Sequence, residues 1–160
     1  MTDYKKILLN YFGWKGWPVQ VDESENLIRI KYQVRDETPW DVYIRYIQDR
    51  KIILFYTVLP NKIPIERRYK GAEFITRANF GLNVGNFEMD WEDGEVRFRT
   101  SIVLGNMDFD YSLIDEQLMA NLITTEDYYK GLIESVVGNE EPSRVIRDIR
   151  ERINDIDFDF

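Results

Sequence analysis

Residues 88–95 read EMDWEDGE, five carboxylates within eight positions, and two glycines, Gly81 and Gly85, stand just upstream in GLNVGNF. Acids at this density hold hard cations when a loop folds them inward, and closely spaced glycines are what a phosphate cradle uses. Neither chemistry has its full pattern here. A phosphate loop needs Gly-x-x-x-x-Gly-Lys-Ser/Thr. This stretch has glycines four apart, no lysine between or after them, and a negative field close behind. A calcium loop with Gly94 at its sixth position puts Met89 and Trp91 where oxygen ligands are needed. A second acidic group, Asn106, Asp108 and Asp110, has oxygens at positions one, three and five. It has Tyr111 at six and Gln117 at twelve, so the tight turn and the bidentate glutamate are missing. A weak cation site at these three residues stays open.

The opposing reading of 79–102 is a hairpin turning on Asp93-Gly94, the strongest short-range hairpin signal. That turn sets Trp91 against Val96, Met89 against Phe98 and Phe87 against Thr100 on one face. On the other face it sets Asp90 against Arg97 and Glu88 against Arg99, two opposite-charge pairs, with Glu92 and Glu95 meeting only beside the turn. The acids at the turn, Glu92, Asp93 and Glu95, are then left as a rim for a protein partner.

The chain has no histidine and no cysteine. That removes thiol chemistry, disulfides, Cys/His zinc sites and every Ser-His-Asp arrangement. Carboxylate pairs such as Asp108 with Asp110, or Glu92 with Asp93, have the type for acid–base work, but nothing places them in a shared buried cleft. The reading is therefore non-enzymatic, with no cofactor. The net charge of −8 opposes phosphate backbones at long range, which excludes non-specific nucleic-acid binding. Residues 84–116 carry nine acidic and two basic side chains, so most of the net charge lies there. Aromatic residues beyond one inward stripe, Trp14, Trp17, Tyr128 and Tyr129, are candidate interface anchors alongside the acidic rim.

The elements that must position these groups follow from periodicity. Residues 3–12 have helical spacing, with Gly13 as the stop. LIRIKYQV and WDVYIRYI alternate with one wet face, and IILFYTV is apolar on both faces, as a central strand is. Short polar separators imply an antiparallel meander. Pro64 opens a helix whose cationic side (Lys62, Arg67, Arg68, Lys70, Arg77) is a solvated face, and Gly81 supplies its left-handed stop. After the hairpin, a long helix runs from about 113 to 137, capped by Ser112 and stopped at Gly138. A shorter helix at 143–153 precedes the alternating acidic and apolar tail NDIDFDF, which suits a free end or an added edge strand. The expected fold is α+β, a twisted antiparallel sheet of five to six strands flanked by helices, in the order α-β-β-β-β-α-β-β-α-α. One domain spans 1–140, and 141–160 form a C-terminal helix and acidic tail. No apolar run is long enough for a membrane span, and MTDYKK begins an amphipathic segment without a secretory core, which reads as cytoplasmic.

Residues 54–102, from LFYTVLPNKIPIERRYKGAEFITRANFGL through GNFEMDWEDGEVRF, together with NLITTEDYYKGLIESVVG at 121–138, resemble the YbjN-like domain family. The resemblance implies the type III secretion chaperone fold and a homodimer. It also implies a peptide-binding, chaperone-like or sensory-transduction regulatory role without a catalytic motif. The leading expectation is a protein- or peptide-binding module; the alternative is a small-molecule or divalent-cation-responsive regulator using the acidic loops.

Overall fold

The structure, a computed structural model, describes residues 3–35, 37–106 and 109–157, with the backbone alone for 155–157. Helix α1 (Tyr4–Lys15) leads into β1 (Val19–Asp22), β2 (Leu27–Tyr32), β3 (Trp40–Ile47) and β4 (Ile52–Val58). A 3₁₀ turn at Ile65–Arg67 opens α2 (Arg68–Gly81), followed by β5 (Asn86–Met89), β6 (Val96–Val103), α3 (Tyr111–Val136) and α4 (Pro142–Asp157). The six strands form one antiparallel sheet in the order β1-β2-β3-β4-β6-β5. The α+β order read from periodicity is the observed one, and β4, apolar on both sides, lies in the interior of the sheet.

Several local signals resolve differently from expectation. Helix α1 passes Gly13 and stops at Gly16, whose φ of 69° is the left-handed geometry that glycine tolerates. Gly81 ends α2 without that geometry, and extended Leu82 follows it. The cap of α3 is Asp110, whose carboxylate accepts from the Leu113 N–H at 3.1 Å, so the helix starts one residue before Ser112. Positive φ beyond that helix falls on Asn139 and not on Gly138.

The hairpin turn is longer than two residues. Met89 pairs with Val96, Glu88 with Arg97, Phe87 with Phe98 and Asn86 with Arg99. Residues 91–94 form the loop, closed by the Gly94 N–H donating to Asp90 O at 2.8 Å. The register differs by two from the Asp93-Gly94 expectation, an even shift, so each residue keeps its face and changes its partner. The segment between β4 and α2 holds the loop in this form. The Ile63 N–H donates to Gly94 O at 2.8 Å, Lys62 pairs with Asp93, and Arg68 Nη1 donates to Trp91 O at 2.7 Å. Trp91 is thereby moved out of the strand to a 46% exposed position, edge-on to Tyr69, instead of facing inward.

The helices lie on one face of the sheet, over two apolar clusters. The first joins Leu8, Tyr11 and Phe12 of α1 to Ile28, Ile44, Phe55 and Ile102 of the sheet and to Ile114, Leu118 and Leu122 of α3. The second joins Phe74 and Ala78 of α2, Trp40, Phe87 and Phe98 of the sheet, Tyr128 and Leu132 of α3, and Val145, Ile146 and Ile149 of α4. Between the clusters runs a buried polar seam, one residue or pair on each element that crosses it: Thr57 of β4, Thr100 of β6, and Asn121 and Thr125 of α3. The Asn121 amide donates to Phe55 O at 3.1 Å, Phe98 O at 3.2 Å and Thr100 Oγ1 at 3.3 Å. Its Oδ1 accepts from the Thr57 hydroxyl at 2.6 Å.

Asn121→Ala would leave the Thr57 hydroxyl without its acceptor in a dry interior, where an unmet group costs about 1–3 kcal/mol, and would remove the helix's hydrogen bonds to the Phe55 and Phe98 carbonyls, which keep their ladder bonds. The expected loss is about 3 kcal/mol, read as a lower urea midpoint with an unchanged slope.

Candidate functional site

The face of the sheet opposite the helices is uncovered. Alternation places Leu27, Arg29 and Lys31 of β2, Asp41, Tyr43, Arg45 and Ile47 of β3, Ile52, Leu54, Tyr56 and Val58 of β4, and Arg97 and Arg99 of β6 on it. A solvated sheet face is ordinarily polar, so this run of half-buried aliphatic and tyrosine side chains is unusual. Cross-strand register orders it into rows. One row crosses all six strands as Gln20, Arg29, Tyr43, Tyr56, Arg99 and Asn86. The next reads Leu27, Arg45, Leu54 and Ser101, and the row on the other side reads Lys31, Asp41, Val58, Arg97 and Glu88.

Arginines border both tyrosines. The Arg97 guanidinium lies 4.4 Å from the Tyr56 ring centroid, and that of Arg29 lies 5.8 Å from the Tyr43 centroid. Each carboxylate on the floor is shared by two cations. Asp41 binds Arg29 at 2.8 Å and Lys31 at 2.6 Å; Glu88 binds Arg97 at 2.8 Å and Arg99 at 3.0 Å. Arg45 is exposed and has no ion-pair partner among the described residues. A groove of about 380 Å³ runs over Leu27, Tyr43, Arg45, Tyr56, Val58 and Arg97, with Glu25 and Glu95 also on its lining. A larger groove of about 660 Å³ lies on the helical side, where Phe80 is 92% exposed and burial raises the Asp127 carboxyl above its usual range.

The residues singled out from sequence are scattered over the molecule. Trp14 is 68% exposed at the end of α1, beside the Tyr111 ring at 5.9 Å and the Lys15 ammonium at 5.3 Å. Trp17 packs half-buried on Phe12 and Tyr32. Tyr128 is buried in the second cluster, with its edge on the lining of the larger helical-side groove. Tyr129 stands edge-on to Trp40 at 4.9 Å and accepts from Asn61 at 2.8 Å. Of the turn acids, Glu92 is exposed, Asp93 is held by Lys62 rather than unpaired, and Glu95 reaches the groove on the open face. The cations of the helical region also have internal partners. Arg67 and Lys70 donate to Asn139, Arg68 to the hairpin loop, and Arg77 to Glu73. Asp110 is engaged as a helix cap, Asp108 lies outside the described residues, and no group of three or more acidic ligands gathers among the described ones.

The open face does not stand out in the sequence, although IILFYTV carries its signal. A strand apolar on both sides needs cover on both, and the helices cover one.

Burial alone would raise the Asp41 carboxyl, but hydrogen bonds from Lys31 and Arg29 outweigh it and hold the group below its ordinary range. A depressed folded pKa stabilises above the unfolded value near 3.9 and is lost as pH falls through the folded one. Asp41→Asn is therefore expected to lower stability at about pH 7 and to match the parent at about pH 2, checked by urea titration across that range.

No family model and no curated protein matches the chain. Solved structures share its fold. The crystal structure of YbjN from E. coli, described as a candidate transcription regulator, superposes with a TM-score of 0.55 at 10% identity, over 77% of this chain and 89% of that one. The ExsC–ExsE complex gives 0.52 at 16% identity, over 79% and 91%. The HopA1–SchA chaperone–effector complex gives 0.50 at 15% identity, over 75% and 87%. At these identities the likeness is one of architecture: the chain has the YbjN-like, type III secretion chaperone-like fold.

Proposed function

We propose that the chain is a non-enzymatic module that holds an extended peptide segment of a partner protein on the open face of its sheet, in a chaperone-like or regulatory role. One observation carries this reading. Leu27, Tyr43, Ile47, Ile52, Leu54, Tyr56 and Val58 form a connected strip on the sheet, and every helix packs on the other side. Flat strips of this kind take apolar side chains, while polar neighbours fix register. Two of the similar structures are protein complexes, one of them a chaperone with its effector, which supports a protein partner for this architecture. Pairing of two copies belongs to the same proposal.

A photoreactive side chain placed at Leu54 or Tyr43 in the native host should cross-link a distinct partner species. The same group at Glu73 or Arg147 on the helices should not. Adducts only from the helical positions, or only at twice the chain mass of 19.2 kDa, would sink the reading. For the pairing, light scattering that reports 19.2 kDa at every concentration rules it out.

A further inference from the structure

The charges on the open face are unevenly distributed. Around the two tyrosines, each floor carboxylate is outnumbered: Asp41 stands between Arg29 and Lys31, and Glu88 between Arg97 and Arg99. Arg45 adds a cation set between Leu27 and Leu54 in its row, with no ion pair of its own among the described residues. The three rows around the tyrosines therefore hold five cations against Asp41 and Glu88, and the groove wall adds Glu25 and Glu95, which leaves one cation in excess within a chain whose net charge is −8. The remaining acids stand at the ends of this groove: Glu25 in the β1–β2 turn and Glu95 beside the hairpin loop on its wall, with Asp22 on the edge strand and Asp90 at the loop beyond it.

We propose that this face docks an extended segment of a partner protein in which one or two carboxylates sit between apolar side chains. The carboxylates meet Arg45 and the neighbouring Arg29 and Arg99, and the apolar side chains lie on Tyr43, Tyr56, Leu27 and Val58. The proposal rests on the peptide-binding reading and names the chemistry of its ligand. Same-face side chains on an extended segment repeat about every 7 Å, with adjacent strands of the floor about 4.8 Å apart, so a short acidic-apolar motif reaches more than one row. The marginal acids confine the ligand's carboxylates to the middle of the motif. Arginine suits this role because its guanidinium can take a second carboxylate in a fork while still stacking on a ring.

Two other occupants fit less well. A second copy would set centre against centre in a two-fold contact, cation facing cation. Single-stranded nucleic acid would use the tyrosines as stacking platforms, but Asp41 and Glu88 hold four of the five cations, and the margins repel a continuous phosphate chain.

The test uses the full chain and two labelled peptides with the same alternating leucine and phenylalanine residues. One carries aspartates at its central polar positions and the other lysines; oligouridylate is the third probe. Fluorescence anisotropy should show the aspartate peptide binding about tenfold tighter than the lysine peptide. Its affinity should fall severalfold between about 50 and 300 mM NaCl. Arg45→Glu should weaken it by about tenfold, and Arg147→Glu on α4, the same charge change on the helical side, by less than about twofold. Circular dichroism confirms that both variants fold. Equal binding of the two peptides, or equal effects of the two substitutions, overturns the acidic preference and leaves peptide binding standing. Failure of both peptides overturns both readings, and tighter binding of oligouridylate replaces them with a nucleic-acid surface.

Discussion

The Asn121 side chain sits where a well-packed core would ordinarily place a leucine, and it holds the long helix to two adjacent interior strands at once. Its amide reaches main-chain oxygens of β4 and β6 and the hydroxyls of Thr57 and Thr100. Thr100 in turn donates to Gln117 O, and Thr125 to the carbonyl of Asn121 itself. A buried polar group is tolerated only when its partners are in place, so this seam accepts one alignment of α3 on the sheet. Sliding the helix by one turn would bury the amide against aliphatic side chains and leave both threonines unmet. The apolar clusters on either side are each permissive about detail. The seam between them is not.

From that alignment the placement of the other helices follows. With α3 laid diagonally across both clusters, α1 fills the β1–β3 side and α2 fills the β5–β6 side, with α4 closing over α2 and α3. All of this packing falls on one face. The opposite face is left with arginines in shared ion pairs and with aliphatic side chains that the fold itself does not use. Exposed pairs of this sort contribute little to stability. Their arrangement in rows around Tyr43 and Tyr56 bears more on what the surface can receive than on how the chain folds.

Much of this is legible in the sequence, and the differences have physical causes. Period-two alternation in LIRIKYQV and WDVYIRYI separates inward from outward residues correctly, because side-chain direction depends on parity alone. Pairing partners depend in addition on loop length, and there the Asp93-Gly94 signal misled. Gly94 has the positive φ expected of a turn glycine, but it uses it to let Ile63 approach: a Cβ there would lie 2.0 Å from Ile63 O. That contact is set by Ile63, 31 positions earlier in the chain and beyond the reach of local turn rules. Gly13 and Gly16 were equally good stops by residue type, and only packing of Phe12 and Trp17 selects the second. The open face is hidden from the sequence for a similar reason. Its residues are obvious on each strand, but nothing local says which side of a strand the helices will cover.

The clamp between the hairpin loop and the β4–α2 link also bears on the loop the chain must close to complete its sheet. The first four strands are a meander whose pairings join near neighbours, whereas β6 meets β4 only after residues 60–95 have gone out and come back. Closing so long a loop costs entropy before any contact repays it. The Leu59 N–H to Val96 O bond and the Ile63 N–H to Gly94 O bond fasten the neck of that loop, each at 2.8–2.9 Å. The meander can thus assemble first as a four-stranded platform. The seam that receives Asn121 is complete only once β6 lies beside β4, so this polar anchor for α3 depends on the long-range pairing and not on the meander.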